Sequence, residues 1–357
     1  MSTLTNYSDI KFGVHGNAER YTWAAYQLFV LLSSLIGDTL ILVASFHKDA
    51  FKISKLIVTV IQHIAVSDLM NSIIFALPKA TSLLANSWVL GPTLCNAQPY
   101  LIYFVNPASM CLIAVLTTFK FLILRYPLRA ASWSANRAHQ VCGFMWVSSF
   151  INPILMLSGD KRGVHFDNRI YHCRYEYNDD LWKVALPITV LIFSVIPYLT
   201  IISTTVPTLK YLMNARRSSI RFQGRVPWQG ALTVALTAII YTISTLPTAL
   251  YHVLEKFIKG REYPFDWFHM EFTRICSSLL MINIIANFYI YCLTIKSFRR
   301  FLFSRLQLVI SVSLGSTGST ADTRGTGEIL STHRRLYSKV KLKYILSTNP
   351  VREFAWW

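Results

Sequence analysis

Of 357 residues, 53% are hydrophobic and 15% charged, with 35 Lys and Arg against 17 Asp and Glu for a formal charge of +18. That balance excludes an ordinary soluble chain of this length, whose domains would carry charge over their surfaces. The basic excess does not form a nucleic-acid face; it sits in short stretches between long apolar runs, which points to a membrane.

In chain order, residues 1–22 form a polar tail carrying Asp9, Lys11, Glu19 and Arg20. The tail lacks an apolar core ahead of a cleavage site, so the first span is expected to serve as its own targeting signal. Asn6-Tyr7-Ser8 is a glycosylation sequon within it. A bilayer core about 30 Å thick needs roughly 20 apolar residues per helix. Seven runs qualify, at 23–46, 56–80, 97–124, 138–158, 182–206, 231–254 and 272–294. They predict an all-α membrane protein, a seven-transmembrane helix bundle over 23–305. Ile295-Lys296-Ser297-Phe298-Arg299-Arg300-Phe301-Leu302 alternates basic and apolar residues at helical spacing, and predicts a short amphipathic membrane-surface helix at 295–305. Residues 306–357 are expected to be a disordered tail, because 311–332 are rich in Ser, Thr and Gly. The basic stretch 333–344 suits anionic membrane lipids.

Charge sidedness gives the bundle an orientation. Lys48, Lys52 and Lys55 follow the first span, Arg125, Arg129 and Arg137 the third, Arg216, Arg217 and Arg221 the fifth, and Lys296, Arg299 and Arg300 the seventh. These connections share one side, which the positive-inside rule makes cytoplasmic. Asp160, Asp167, Glu176, Glu255, Glu262 and Asp266 lie in the opposite loops. The N-terminus is thus expected outside and the C-terminus in the cytoplasm. Of six cysteines, Cys95 and Cys173 fall at extracellular positions, where a disulfide persists. Cys111, Cys142, Cys276 and Cys292 lie in apolar runs as ordinary small apolar residues.

Polar residues inside the spans are costly and mark function. Asp38 lies midway along the first span and Asp68 midway along the second. Ile102, Asn106, Ser109, Ile113, Leu116 and Lys120 follow one another at intervals of 4, 3, 4, 3 and 4, forming one stripe of the third. Asn283, Asn287 and Tyr291 form a stripe of the seventh. One shared cluster follows, with two readings: a sodium ion or proton held by Asp68, Ser109, Asn283 and Asn287 with Asp38 nearby, or a purely structural hydrogen-bond network. Two carboxylates in one buried cluster disfavour double ionisation.

With Ser67-Asp68-Leu69, the chain resembles the rhodopsin-like G-protein-coupled receptors, as a divergent member. Trp88-Val89-Leu90-Gly91-Pro92-Thr93-Leu94-Cys95 resembles that family's first outer loop and third-helix cysteine, and Cys173 its second-loop cysteine. Trp146, Pro197, Pro247 and Phe298 match single family positions, and Asn287-Phe288-Tyr289-Ile290-Tyr291 resembles its seventh-helix Asn-Pro-x-x-Tyr with Phe for Pro. The resemblance spans about 23–305. It implies a plasma-membrane receptor with a Cys95–Cys173 disulfide, an extracellular ligand, a heterotrimeric G protein as partner, and arrestin on a phosphorylated tail. It implies no enzyme activity and no cofactor beyond a bound sodium ion; the sequence offers no nucleophile–base pair or metal-ligand cluster.

The departures are specific. Leu124-Arg125-Tyr126 imitates the family's Asp-Arg-Tyr, but Pro127-Leu128 and the 25 residues from Cys95, roughly 38 Å of helix, both indicate Lys120. The motif is then Phe119-Lys120-Phe121, and Phe119 cannot pair with a cation. Asp38 replaces the usual Asn, Thr245 the usual Trp and Tyr241 the usual Phe. Ile102 stands where amine receptors carry Asp, and Met281 where opsins carry the retinal lysine, which excludes both ligand classes. The pocket expected from Ile102, Tyr103, Asn106, Thr245 and Met281 suits a peptide or a small apolar molecule. Lys120, Tyr241, Pro247 and Tyr291 are the expected activation residues. A second reading is a receptor-fold binder that couples poorly: a scavenger, dimer partner or arrestin-biased receptor. A transporter is third, but no internal repeat is evident.

Overall fold

The computed structural model describes residues 17–47, 50–51, 53–157, 161–167, 170–177, 188–219, 232–233, 235–247 and 266–317. Helix α1 is Asn17–Ser45, α2 Lys55–Ala85, α3 Gly91–Arg125 and α4 Ala135–Leu157. Helix α5 opens at residue 188, passes through a π turn at Leu191–Val195 and ends with Ile196–Ser219. Helix α6 is described over Ala235–Pro247, α7 is Asp266–Thr294 and α8 Lys296–Thr317. A single helical turn, Pro127–Ala131, links α3 to α4, and an antiparallel hairpin, β1 Lys161–Asp167 and β2 His172–Tyr177, lies between α4 and α5. Among the described residues five helices are by themselves long and apolar enough to cross a membrane.

Helix α3 runs through the centre, with Leu112, Ile113 and Leu116 fully buried in a core shared with α2, α7 and α8. Large apolar side chains such as Phe29, Ile36, Phe144, Val147 and Phe150 point outward, the pattern of a bundle whose outer solvent is lipid. Proline shapes the helices. A proline has no N–H for the carbonyl four residues earlier, so that oxygen needs another donor in a membrane. Helix α2 passes into a π turn, Ser72–Ala76, just ahead of Pro78, and the carbonyl of Ile74 receives the Gln98 amide at 3.2 Å. In α3, Pro107 frees the carbonyl of Tyr103, which receives the Asn152 amide of α4 at 2.6 Å. The π turn in α5 likewise precedes Pro197.

Phe288, the departure from the family's seventh-helix proline, fits against Gly37: a Cβ added at Gly37 would lie 2.7 Å from the Phe288 ring. The bare glycine therefore lets α1 and α7 meet over an aromatic ring. Phe288 also meets Phe298 edge-on at 6.3 Å, and Phe298 stacks on Phe51 at 5.0 Å. This aromatic layer holds α8 beneath α1 and α7. Helix α8 extends to Thr317, beyond the expected boundary at 305 and into the expected disordered tail. Leu306, Leu308, Val309, Ile310, Val312 and Leu314 keep the segment apolar, which the emphasis on Ser and Thr overlooked. Asn6 and residues 318–357 lie outside the described residues, as do residues 220–231, Arg221 among them.

Candidate functional site

At mid-bundle the two carboxylates converge. Asp38 and Asp68 are both 0% exposed. Asn287 donates its amide to one Asp68 oxygen at 2.8 Å, and the Ser109 hydroxyl reaches the other at 3.4 Å. Ser34 donates to Asp38 at 2.6 Å and lies 3.4 Å from the Asp68 backbone carbonyl, so it bridges α1 and α2. The second Asp38 oxygen, the Ser67 hydroxyl and the Tyr291 hydroxyl are buried without a hydrogen-bond partner. The cluster is thus oxygen-rich and unsaturated, a donor set that fits a hard cation or an added proton. Four of the five expected residues come together. Asn283 does not: it is half-buried and, among the described residues, bonds neither carboxylate. It shares the Asn287 stripe but lies four residues, about 6 Å, further along the axis. Ser34 was missed, although its place four residues before Asp38 puts both on one helix face.

The outer half holds the expected pocket residues in separate settings. Ile102 packs with Met281, Leu31, Phe75 and Ile284 in one apolar cluster. Tyr103 and Asn106 are half-buried, while Thr245 is spent locally, donating to the Tyr241 carbonyl at 2.6 Å. Above them the hairpin is held by the Cys95–Cys173 disulfide. Gln98, three residues from Cys95, accepts from the Cys173 N–H at 2.9 Å while its amide serves Ile74. Gln98 therefore ties the hairpin to the α2 bend, a role no local pattern signals. Lys79, also missed, is buried in α2 with its ammonium on the Ser277 hydroxyl at 3.0 Å. His172 meets Phe75 at 5.5 Å. Burial, helped by the Lys79 ammonium, pushes His172 down to about 4 against the pull of the Ile170 carbonyl and Asp167.

At the inner end, Lys120 is partly buried and Arg125 is exposed, resting over the Tyr126 ring at 5.6 Å. Arg125 therefore stays off the inward stripe. Among the described residues Lys120 has no ion-pair partner, and Phe119 packs against Trp133 at 6.0 Å. Tyr241 and Tyr291 are fully buried, each with an unpartnered hydroxyl, and Pro247 closes the described part of α6.

A helical membrane bundle with a disulfide-held outer hairpin, a buried carboxylate core and an open-ended inner stripe has the architecture of the seven-transmembrane receptors. The model of the "7 transmembrane receptor (rhodopsin family)" matches residues 37–291, and the chain belongs to that family. Its fold is that of squid rhodopsin, with a TM-score of 0.70 at 15% identity over 88% of this chain and 95% of that one. It is 25% identical to the proteinase-activated receptor 1 of Xenopus laevis over 47% of this chain and 41% of that protein. It is 23% identical to the thyrotropin-releasing hormone receptor of Bos taurus over 66% of each. These alignments span less than two thirds of both relatives. The family is one of multi-pass membrane receptors and not of enzymes.

Proposed function

We propose that this protein is a plasma-membrane receptor, with its N-terminus outside, that binds an extracellular ligand in the outer half of the bundle and signals through a cytoplasmic G protein. The observation that carries this reading is the continuity of α3 and α7. Both helices line the outer apolar cluster at Ile102 and Met281 and the polar core at Ser109 and Asn287; Ile102, Ser109 and Lys120 share one stripe of α3, and Asn287 and Tyr291 share one stripe of α7, so both helices run on to the inner end. A ligand that shifts the outer cluster would repack the core and move the inner stripe. Ile102 offers no carboxylate to an amine and Met281 no amine to retinal, so a peptide or a small apolar molecule suits the cleft. The relatives are named for activation by a proteinase and for a releasing hormone, and both names fit a receptor for an extracellular signal.

The polar core would hold a sodium ion or a proton on Asp68, with Asp38, Ser109 and Asn287 around it. An arrestin contact through the tail and lipid contacts along α8 belong to the same proposal. Lys120 supports the alternative of a receptor-fold binder with weak coupling, because an ammonium lacks the planar fork of a guanidinium. A ligand screen read by G-protein activation across the major classes separates the two. Signalling that Lys120→Ala lowers by about tenfold, the scale of one charge-assisted contact, supports the receptor reading. Ligand binding with no activation of any class favours the alternative.

A further inference from the structure

Outside the site described above, one polar chain links α2 to α4 on the inner half of the bundle. The Trp146 indole N–H points at His63 Nδ1 at 3.3 Å, and His63 Nε2 lies 3.1 Å from His139 Nδ1. The rings of the two histidines cross at 70° with centroids 5.3 Å apart. Indole is a donor only, so His63 Nδ1 must accept. A neutral His63 then carries its proton on Nε2 and donates to His139 Nδ1, and His139 carries its own on Nε2. His139 is exposed and His63 half-buried, so the chain runs from the packed indole to the protein surface.

We propose that the His63–His139 pair is a proton-binding site and that an added proton opens this α2–α4 link. A second proton on His63 would set an N–H against the indole N–H. A proton on His139 Nδ1 would set an N–H against the His63 Nε2–H. Either way a donor faces a donor, and one attraction between the helices becomes a repulsion. The exposed His139 ring gives the proton its entry.

The surroundings leave the pair to act alone. Helix α1 presents the neutral Ser45, which is engaged by Gln62 of α2. Helix α3 presents Phe104, 5.5 Å from Trp146. On α4 the nearest ionisable groups in sequence are the buried Cys142 and Arg137, whose guanidinium rests over Trp133. Among the described residues the partners of the His63 ring are Trp146 and His139, and no carboxylate pairs with either histidine to stabilise a second proton.

The test uses the full-length protein in nanodiscs, with thermal unfolding followed from pH 7.5 to 5.5, a window that crosses the ordinary imidazole value of about 6.5. His63→Asn paired with His139→Gln keeps acceptors for both N–H groups but cannot titrate. Wild type is expected to lose roughly 2–4 °C more in midpoint across the window than the double variant; His172 titrates in both and cancels. Parallel curves overturn the proposal. Should the double variant not fold, His139→Gln alone, at the exposed ring, must show a smaller difference of the same sign. Trp146→Phe provides the structural control: its destabilisation must shrink between pH 7.5 and 5.5, and an equal loss at both pH values overturns the link.

Discussion

At the scale of single residues, the outer loop and the proline carbonyls carry sharp predictions. His172 is held neutral by burial at about 4, below the ordinary imidazole value of about 6.5. The unfolded chain takes up a proton at the higher value and the docked hairpin only at the lower one. Its contribution is therefore intact above about pH 6.5 and is lost as pH falls towards 4, with a slope of up to about 1.4 kcal/mol per pH unit. His172→Gln should flatten the acid limb of a thermal-unfolding profile; an unchanged limb would assign that slope to another group. Gln98→Leu should leave the Ile74 carbonyl and the Cys173 N–H without their partner. The expected cost is about 1–3 kcal/mol for each stranded group, with faster amide exchange across residues 172–174. Gln98 was not legible beforehand, because a long-range partner of a proline-freed carbonyl leaves no spacing in the chain. Ser34 was legible in principle, since its bond to Asp38 spans one helical turn.

The existence and order of the helices were readable because a membrane span needs a long apolar run, and composition reports that directly. Their ends were not. Helix α1 begins at Asn17 and α5 ends at Ser219, well into polar sequence, because a backbone leaving the bilayer keeps its internal hydrogen bonds. The π turns before Pro78 and Pro197 were equally hidden, since hydropathy does not register a change of hydrogen-bond register. Phe288 read only as a departure from the family. Packing against Gly37 explains how it is tolerated, and makes the α1–α7 joint testable. Gly37→Ala places a methyl 2.7 Å from the Phe288 ring, so an overpacking cost of about 1–3 kcal/mol is expected. Phe288→Leu should be mildly destabilising alone and should recover much of that loss in the double variant. Additive losses in a double-mutant cycle would show that the two positions do not meet.

Across the whole molecule, the outer hairpin, the mid-bundle carboxylates and the inner stripe lie along the same central helices, so a change at one level has a physical route to the next. The four-residue spacing put Asn283 and Asn287 on one stripe of α7 but carried no information on depth, and Asn287 is the one that meets Asp68. The core is where the two readings of the polar cluster part. A purely structural network would tolerate exchange of a carboxylate for an amide of the same shape. An ion or proton site would not, because the charge is what holds the guest. Asp68→Asn keeps one acceptor oxygen for the Asn287 amide and presents its new NH2 to the Ser109 hydroxyl, which then accepts, so the fold should survive with a loss of about 1 kcal/mol or less from weakened hydrogen bonds. Under the ion reading, raising NaCl against an equal ionic strength of choline chloride should stabilise the wild-type receptor and leave Asp68→Asn unmoved. The shift should follow the mass-action form for a ligand of the native state, about 2.7 kcal/mol at one hundred times the dissociation constant. A sodium-specific shift of the same size in both proteins would move the ion away from Asp68. No sodium-specific shift in either would leave the proton and the hydrogen-bond network as the core's occupants.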